Sequence, residues 1–222
     1  MLTRTLIDTA EIPGGGVLRL MQRGDEFSIM LGANELMNSR LSGSEEALAT
    51  MSLDRLSGVS EPHLLIGGLG MGFTLRAALA SLGPDAQVTV AELVPEVVDW
   101  ARGPMGEISG GSLDDFRVDI RIADVGDMIR ANRGAYHAIL LDVDNGPDGL
   151  THECNEGLYD RKGLQAAKAA LRPGGLLSIW SAAPHPRFAK RLRDTGFIVE
   201  EVRVRARGGG RGAHHIIWFA KA

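Results

Sequence analysis

Four glycines, Gly67, Gly68, Gly70 and Gly72, follow the apolar run His63–Ile66 and precede Phe73–Leu82, where apolar residues return at helical spacing. A strand feeding such a loop leaves backbone uncovered by side chains, against which a ligand can lie. Glu92 closes the next apolar run, Val88–Ala91, about twenty residues on, where a carboxylate can accept both hydroxyl hydrogens of a ribose. Strand, glycine loop, helix and acid-tipped strand together describe a nucleoside site. Farther along, Asp142 and Asp144 stand two residues apart at the mouth of another apolar strand. They point to opposite faces if that strand continues, so their cooperation requires the chain to turn, and Gly146 and Pro147 supply the turn. An Asp-rich turn is the plain alternative; the position at the ligand end of a sheet favours chemistry, such as holding or deprotonating a cationic group.

The elements that must position these residues follow from the pattern. Strands are expected over 63–66, 87–91, 118–123, 137–142, 175–181, 198–205 and 214–219, with helices near 72–82, 95–103, 125–131, 157–171 and 186–195. Pro173, Gly174 and Gly175 are expected to stop the fourth helix and cap it. The last two strands are joined directly, which implies an antiparallel hairpin at the sheet edge. The expected fold is therefore α/β, Rossmann-like, with a seven-stranded, mostly parallel sheet ending in that hairpin. Residues 1–40 read as a small β segment, with Val17–Met21 and Phe27–Leu31 forming a hairpin, and residues 41–222 as the nucleoside-binding domain, entered through a helix over Ser44–Leu56.

Composition narrows the function. The 222 residues are 44% hydrophobic, enough for a substantial core. No apolar run approaches the ~18 residues of a membrane-spanning helix, and Asp8 and Glu11 interrupt any signal-like start, so a cytoplasmic protein without a membrane partner is expected. The single cysteine, Cys154, leaves no internal disulfide and no cysteine-based zinc site, and the scattered histidines lack acidic partners at ligand spacing, so no metal is expected. A net charge of −4 gives no reason to expect nucleic acid. The one basic cluster, Arg203, Arg205, Arg207 and Arg211 around Gly208–Gly210, reads as a turn with solvated arginines rather than an RNA-binding tail.

Glycine loops serve two cofactor classes. A dinucleotide site uses G-x-G-x-x-G to cradle a pyrophosphate. Here the glycines fall as G-x-G-x-G, which is similar to the first motif of class I S-adenosylmethionine-dependent transferases. Over most of its length, from about Leu31 to Leu177, the chain resembles the spermidine synthase family of polyamine aminopropyltransferases. The likeness is carried by LLIGGLGMGFTLR (64–76), VTVAELVPEVVDWAR (88–102), IRIADVGDMI (120–129), AILLDVDNGPDGL (138–150), Leu158 with Tyr159, and ALRPGGLLSIWS (170–181), preceded by SRLSGSEEALA (39–49).

The resemblance implies the class I methyltransferase fold and decarboxylated S-adenosylmethionine as co-substrate. It places Glu92 on the ribose and Asp124 near the adenine amino group; Asp124 is equally a helix N-cap. For a di- or polyamine acceptor it implies Asp144 as base and Asp142 as its positioning partner, with Asp142 also on the cofactor side. Glu45 would add negative potential and Tyr159 would line the amine pocket, although an ordinary solvated acid and a core ring explain them as well. A homodimer through the N-terminal region is implied too. The chain departs from the family at Met71, which stands where an Asp holds the aminopropyl amine, in a loop after Asp142 two residues shorter, and at Gly43–Ser44–Glu45 in the approach segment. These departures leave two other readings open: methyl transfer from intact S-adenosylmethionine to an unknown acceptor, and a noncatalytic nucleoside-binding module.

Overall fold

Strands that are apolar at nearly every position can be buried only between two layers. Three of them, β5 (His63–Gly67), β6 (Gln87–Glu92) and β8 (Tyr136–Leu141), are of this kind. The computed structural model describes residues 2–56, 58–143, 157–207 and 211–222. It joins these strands with β7 (Val118–Ile122), β9 (Leu171–Ser181), β10 (Ile198–Arg207) and β11 (Arg211–Lys221) in a seven-stranded sheet of order β10-β11-β9-β8-β5-β6-β7. Pairing is parallel from β9 through β8, β5 and β6 to β7. Strand β11 runs antiparallel to both β9 and β10, so the terminal hairpin closes one edge, as the direct joining of the last two strands predicted.

Alternation of side chains divides the core in two. Leu64, Ile66, Val88, Val90, Ala138 and Leu140 face one side, under α1 (Gly43–Asp54), α2 (Phe73–Ser81) and α3 (Pro95–Arg102), the last followed by the single turn α4 (Gly106–Ser109). Leu65, Ile139, Leu141, Leu177 and Ile179 face the other, under α5 (Val125–Ala131), α6 (Arg161–Ala170) and α7 (Pro186–Asp194). Among the described residues no helix is long and apolar enough to cross a membrane.

The N-terminal segment is larger than the hairpin expected there. It is a four-stranded antiparallel meander of β1 (Thr5–Glu11), β2 (Val17–Arg23), β3 (Glu26–Leu31) and β4 (Asn34–Asn38). The outer strands escape a pattern search because β1 buries only Ala10 and β4 only Asn38, so neither shows an apolar alternation. Residues Leu18, Leu20, Phe27 and Ile29 of this sheet belong to the same cluster as α1–α3, and the Trp100 indole N–H donates to Asp8 Oδ2 at 2.8 Å.

A second difference concerns Pro173–Gly175. Helix α6 ends at Ala170 with Leu171 already extended (φ −73°, ψ 146°), so no glycine caps it. Pro173, Gly174 and Gly175 lie inside β9, where the register against β8 jumps from Tyr136↔Leu171 to Ala138↔Leu176. Proline forces the residue before it out of the helical region, and Gly174 at φ +76° carries the bulge.

Because the two sheets share one cluster, they should unfold together. Leu20→Ala, at a fully buried site, is expected to destabilise the chain by roughly 2–5 kcal/mol. In urea, tryptophan fluorescence and far-UV circular dichroism should then fall at one common, lowered midpoint; two separated transitions would show independent cores.

Candidate active site

Strand order reverses at β5, with β6 on one side and β8 on the other, and ligands of open α/β sheets bind where strand ends part in this way. The glycine loop sits there. A Cβ on Gly68 (φ +86°) would lie 2.5 Å from the Asp142 carbonyl oxygen, so the exits of β5 and β8 touch backbone to backbone. The four glycines divide by use. Gly68 and Gly70 line a cavity. The space a Gly67 side chain would need is taken by Val125 and Leu141, and Gly72, the cap of α2, faces Ser109 and Ser112.

Glu92 is buried at the tip of β6. Its Oε2 accepts the Leu69 N–H and its Oε1 the Val94 N–H, both at 2.9 Å. Burial pushes its pKa above the usual carboxylate range, and the backbone amides pull it back. The Leu93 and Gly70 amides also act on it, so the carboxylate is ringed by backbone donors. Asp124 Oδ1 accepts the N–H groups of Gly126 (2.6 Å) and Asp127 (3.2 Å), which makes it the N-cap of α5, and the residue also lines the cavity. Cap and cavity wall are one residue.

The cavity measures about 470 Å³, a size suited to a small-molecule ligand. Glu92, Asp124 and Asp142 supply acids to its wall, and Leu93, Val94 and Val125 supply apolar surface. Its roof comes from the N-terminal sheet: the β1–β2 turn at 12–16, with Leu18, Ile29, Leu31, Leu36 and Met37.

Next to the glycine loop two acids meet. Asp142 Oδ2 accepts the Thr74 hydroxyl at 2.6 Å, and that hydroxyl lies 3.4 Å from the Glu45 carbonyl oxygen. Burial, and then the Asp142 charge, raise Glu45 to about 7. Burial raises Asp142 to about 6, against the Thr74 hydrogen bond. The pair therefore holds its protons to higher pH than ordinary carboxylates do.

Of the other sequence candidates, Tyr159 packs edge-to-face on Phe188 (5.6 Å, 88°) in the second core cluster, away from the cavity wall. Met71 is 2% exposed and belongs to the core. Asp144 lies outside the described residues. Thr74 and the apolar roof were not anticipated. The Pro-Gly-Gly-Gly run at 13–16 was the available signal for the roof; Thr74 had none, because its partner is 68 positions away.

Two outcomes follow. Gly68→Ala places a methyl against backbone at a left-handed position and should destabilise the chain by roughly 2 kcal/mol or more, read from urea denaturation. A carboxyl whose pKa is raised on folding binds its proton more tightly in the folded chain, so its contribution to stability is lost as pH rises from about 4 to about 7. Asp142→Asn should therefore gain on the parent chain between pH 4 and pH 8; a stability difference that stays flat with pH would contradict the coupled pair.

A family model described as the spermine/spermidine synthase domain matches residues 45–191. The polyamine aminopropyltransferase of Mycobacterium tuberculosis is 26% identical over 194 residues, covering 82% of this chain and 35% of the relative. Polyamine aminopropyltransferase 1 of Streptomyces coelicolor is 30% identical over 156 residues, covering 66% of this chain and 28% of the relative. The chain thus spans about a third of the length of the curated relatives it matches. Among solved structures, spermidine synthase from Thermotoga maritima superposes with a TM-score of 0.78 at 20% identity, covering 97% of this chain and 72% of that one. A spermidine synthase in complex with the transition state analogue AdoDATO gives 0.76 at 20% identity, with the same coverage. These structures share the fold described above.

Proposed function

The chain belongs to the spermine/spermidine synthase family, and from that premise we propose that it transfers an aminopropyl group from decarboxylated S-adenosylmethionine to a di- or polyamine. One observation carries the reading: a single cavity has Glu92 and Asp124 in its wall together with Asp142, whose charge acts on Glu45. In this assignment Glu92 accepts the ribose hydroxyls, Asp124 lies near the adenine amino group, and Gly68 and Gly70 give the nucleoside bare backbone. The apolar roof covers it and excludes water.

An aliphatic amine is protonated at pH 7, since its pKa is close to that of lysine, about 10.4. Attack requires the neutral form. The negative charge of the Asp142–Glu45 pair holds the ammonium, and Asp144, two residues on, takes its proton. The freed nitrogen lone pair then forms a bond to the carbon next to the sulfonium. The carbon–sulfur bond breaks with its electrons on sulfur, leaving methylthioadenosine. No step requires a metal, and among the described residues no group of three or more potential metal ligands occurs. The same proposal keeps residues 1–40 as a β segment that dimerises with a second copy, and a cytoplasmic location.

A second reading, methyl transfer from intact S-adenosylmethionine, is favoured by Met71, whose side chain is in the core and leaves no carboxylate at that place in the loop. Incubation with each form of the co-substrate and a panel of di- and polyamines separates the two. Methylthioadenosine with an aminopropylated amine, identified by mass spectrometry, is expected; S-adenosylhomocysteine, or neither product, would overturn the proposal. Glu92→Ala should weaken nucleoside binding roughly 100-fold, the loss of two charge-assisted hydrogen bonds at about 1.5 kcal/mol each. Asp144→Asn should suppress turnover with nucleoside affinity nearly unchanged. Calorimetry and steady-state rates check both.

A further inference from the structure

Behind the carboxylate pair lies a hydrogen-bonded arm that the proposed reaction does not use. Ser44, fully buried in the first turn of α1, donates its hydroxyl hydrogen to Glu45 Oε2 at 2.7 Å. The Ser44 hydroxyl oxygen itself lies 2.8 Å from His215 Nδ1. A hydroxyl has one hydrogen, and with it on Glu45 the contact to His215 requires the imidazole to donate, so Nδ1 carries the proton.

A neutral imidazole has one ring N–H to give, and in this assignment it is on Nδ1. His215 stands on β11 opposite Val204 of β10, half-buried, with its ring edge-on to Trp180 of β9 (4.7 Å, 75°). Burial holds its pKa below the usual histidine range, so the ring is neutral at pH 7. Its neighbour His214 alternates to the other face, beside Arg205 and Arg203. On the Glu45 side the charged groups are Asp142 and Glu46, and Glu46 is paired with Arg76 at 3.2 Å. The arm thus runs from the terminal hairpin through α1 to the acid beside the cavity.

We propose that His215, acting through Ser44, is a positioning residue that keeps negative charge on the Glu45–Asp142 pair. A hydroxyl hydrogen on a carboxylate oxygen favours the ionised form. The imidazole N–H commits the Ser44 hydroxyl to that task, because it occupies the oxygen's acceptor side and leaves the hydrogen for Glu45. Without the arm, Glu45 keeps its proton to higher pH, and the pair loses the charge that draws the ammonium. The consequence for turnover rests on the aminopropyl-transfer reading; the hydrogen-bonded arm does not.

The test is a titration of the Glu45 carboxyl carbon in the free protein by ¹³C NMR after selective glutamate labelling, with the resonance assigned by its loss in Glu45→Gln. Ser44→Ala and His215→Ala should each raise the Glu45 midpoint by about one pH unit. His215→Asn, whose side-chain amide can donate from a similar position, should return it most of the way. Thermal melts establish that each variant is folded. An unmoved midpoint in folded His215→Ala would overturn the proposal, as would a shift that Asn fails to reverse. The titration needs no turnover, so an absence of aminopropyl transfer would sink the functional reading and leave this one standing. If transfer is found, the acid limb of kcat/KM against pH should move up by the same unit in both alanine variants.

Discussion

One buried carboxylate holds the two loops of the site in place. The Leu69 N–H belongs to the glycine loop and the Val94 N–H to the entrance of α3, and both end on Glu92. Neither loop has regular structure to occupy these amides, and an unpaired buried N–H costs about 1–3 kcal/mol. A charge in this position carries its own desolvation penalty, visible as the raised pKa, and the converging amides offset it. The residue proposed to hold the ribose is therefore also the one that shapes the crevice, which couples ligand binding to the order of both loops.

Around that anchor the cavity is built from two sheets with different chemistry. The parallel sheet brings bare glycine backbone and three acids, whereas the N-terminal meander brings an almost wholly apolar roof. Met37 shows how closely they fit: a Cβ on Gly70 would lie 2.8 Å from its sulfur. Since Leu18, Leu20 and Ile29 join the same core cluster as α1–α3, the roof is set by packing and not by a tether alone. The small sheet is thus part of the site.

Much of this was legible in residue order, because the information is local. Glycines follow an apolar strand, Glu92 closes the next one, and the last two strands are joined directly, so a mostly parallel sheet with an antiparallel edge could be expected. The β9 bulge could not, since a Pro-Gly-Gly run reads equally as a helix stop or an irregular strand, and only pairing with β8 decides. Strands β1 and β4 were invisible because they bury almost nothing. In the site, Asp124 was read both as a cap and as a ligand group; it caps α5 and lies in the cavity wall. The Thr74–Asp142 and Ser44–His215 contacts join residues 68 and 171 positions apart, which no local pattern encodes. Tyr159 was read both as a pocket wall and as a core ring, and it packs on Phe188 in the core.

The central claim is that an adenine nucleoside lies between the apolar roof and the glycine loop with its ribose on Glu92. A crystal structure of the protein with methylthioadenosine tests it most directly. The account predicts both ribose hydroxyls within hydrogen-bond distance of Glu92, the adenine near Asp124, and the sulfur directed toward Asp142. A nucleoside bound elsewhere, or one in this cavity with its ribose turned away from Glu92, would contradict it.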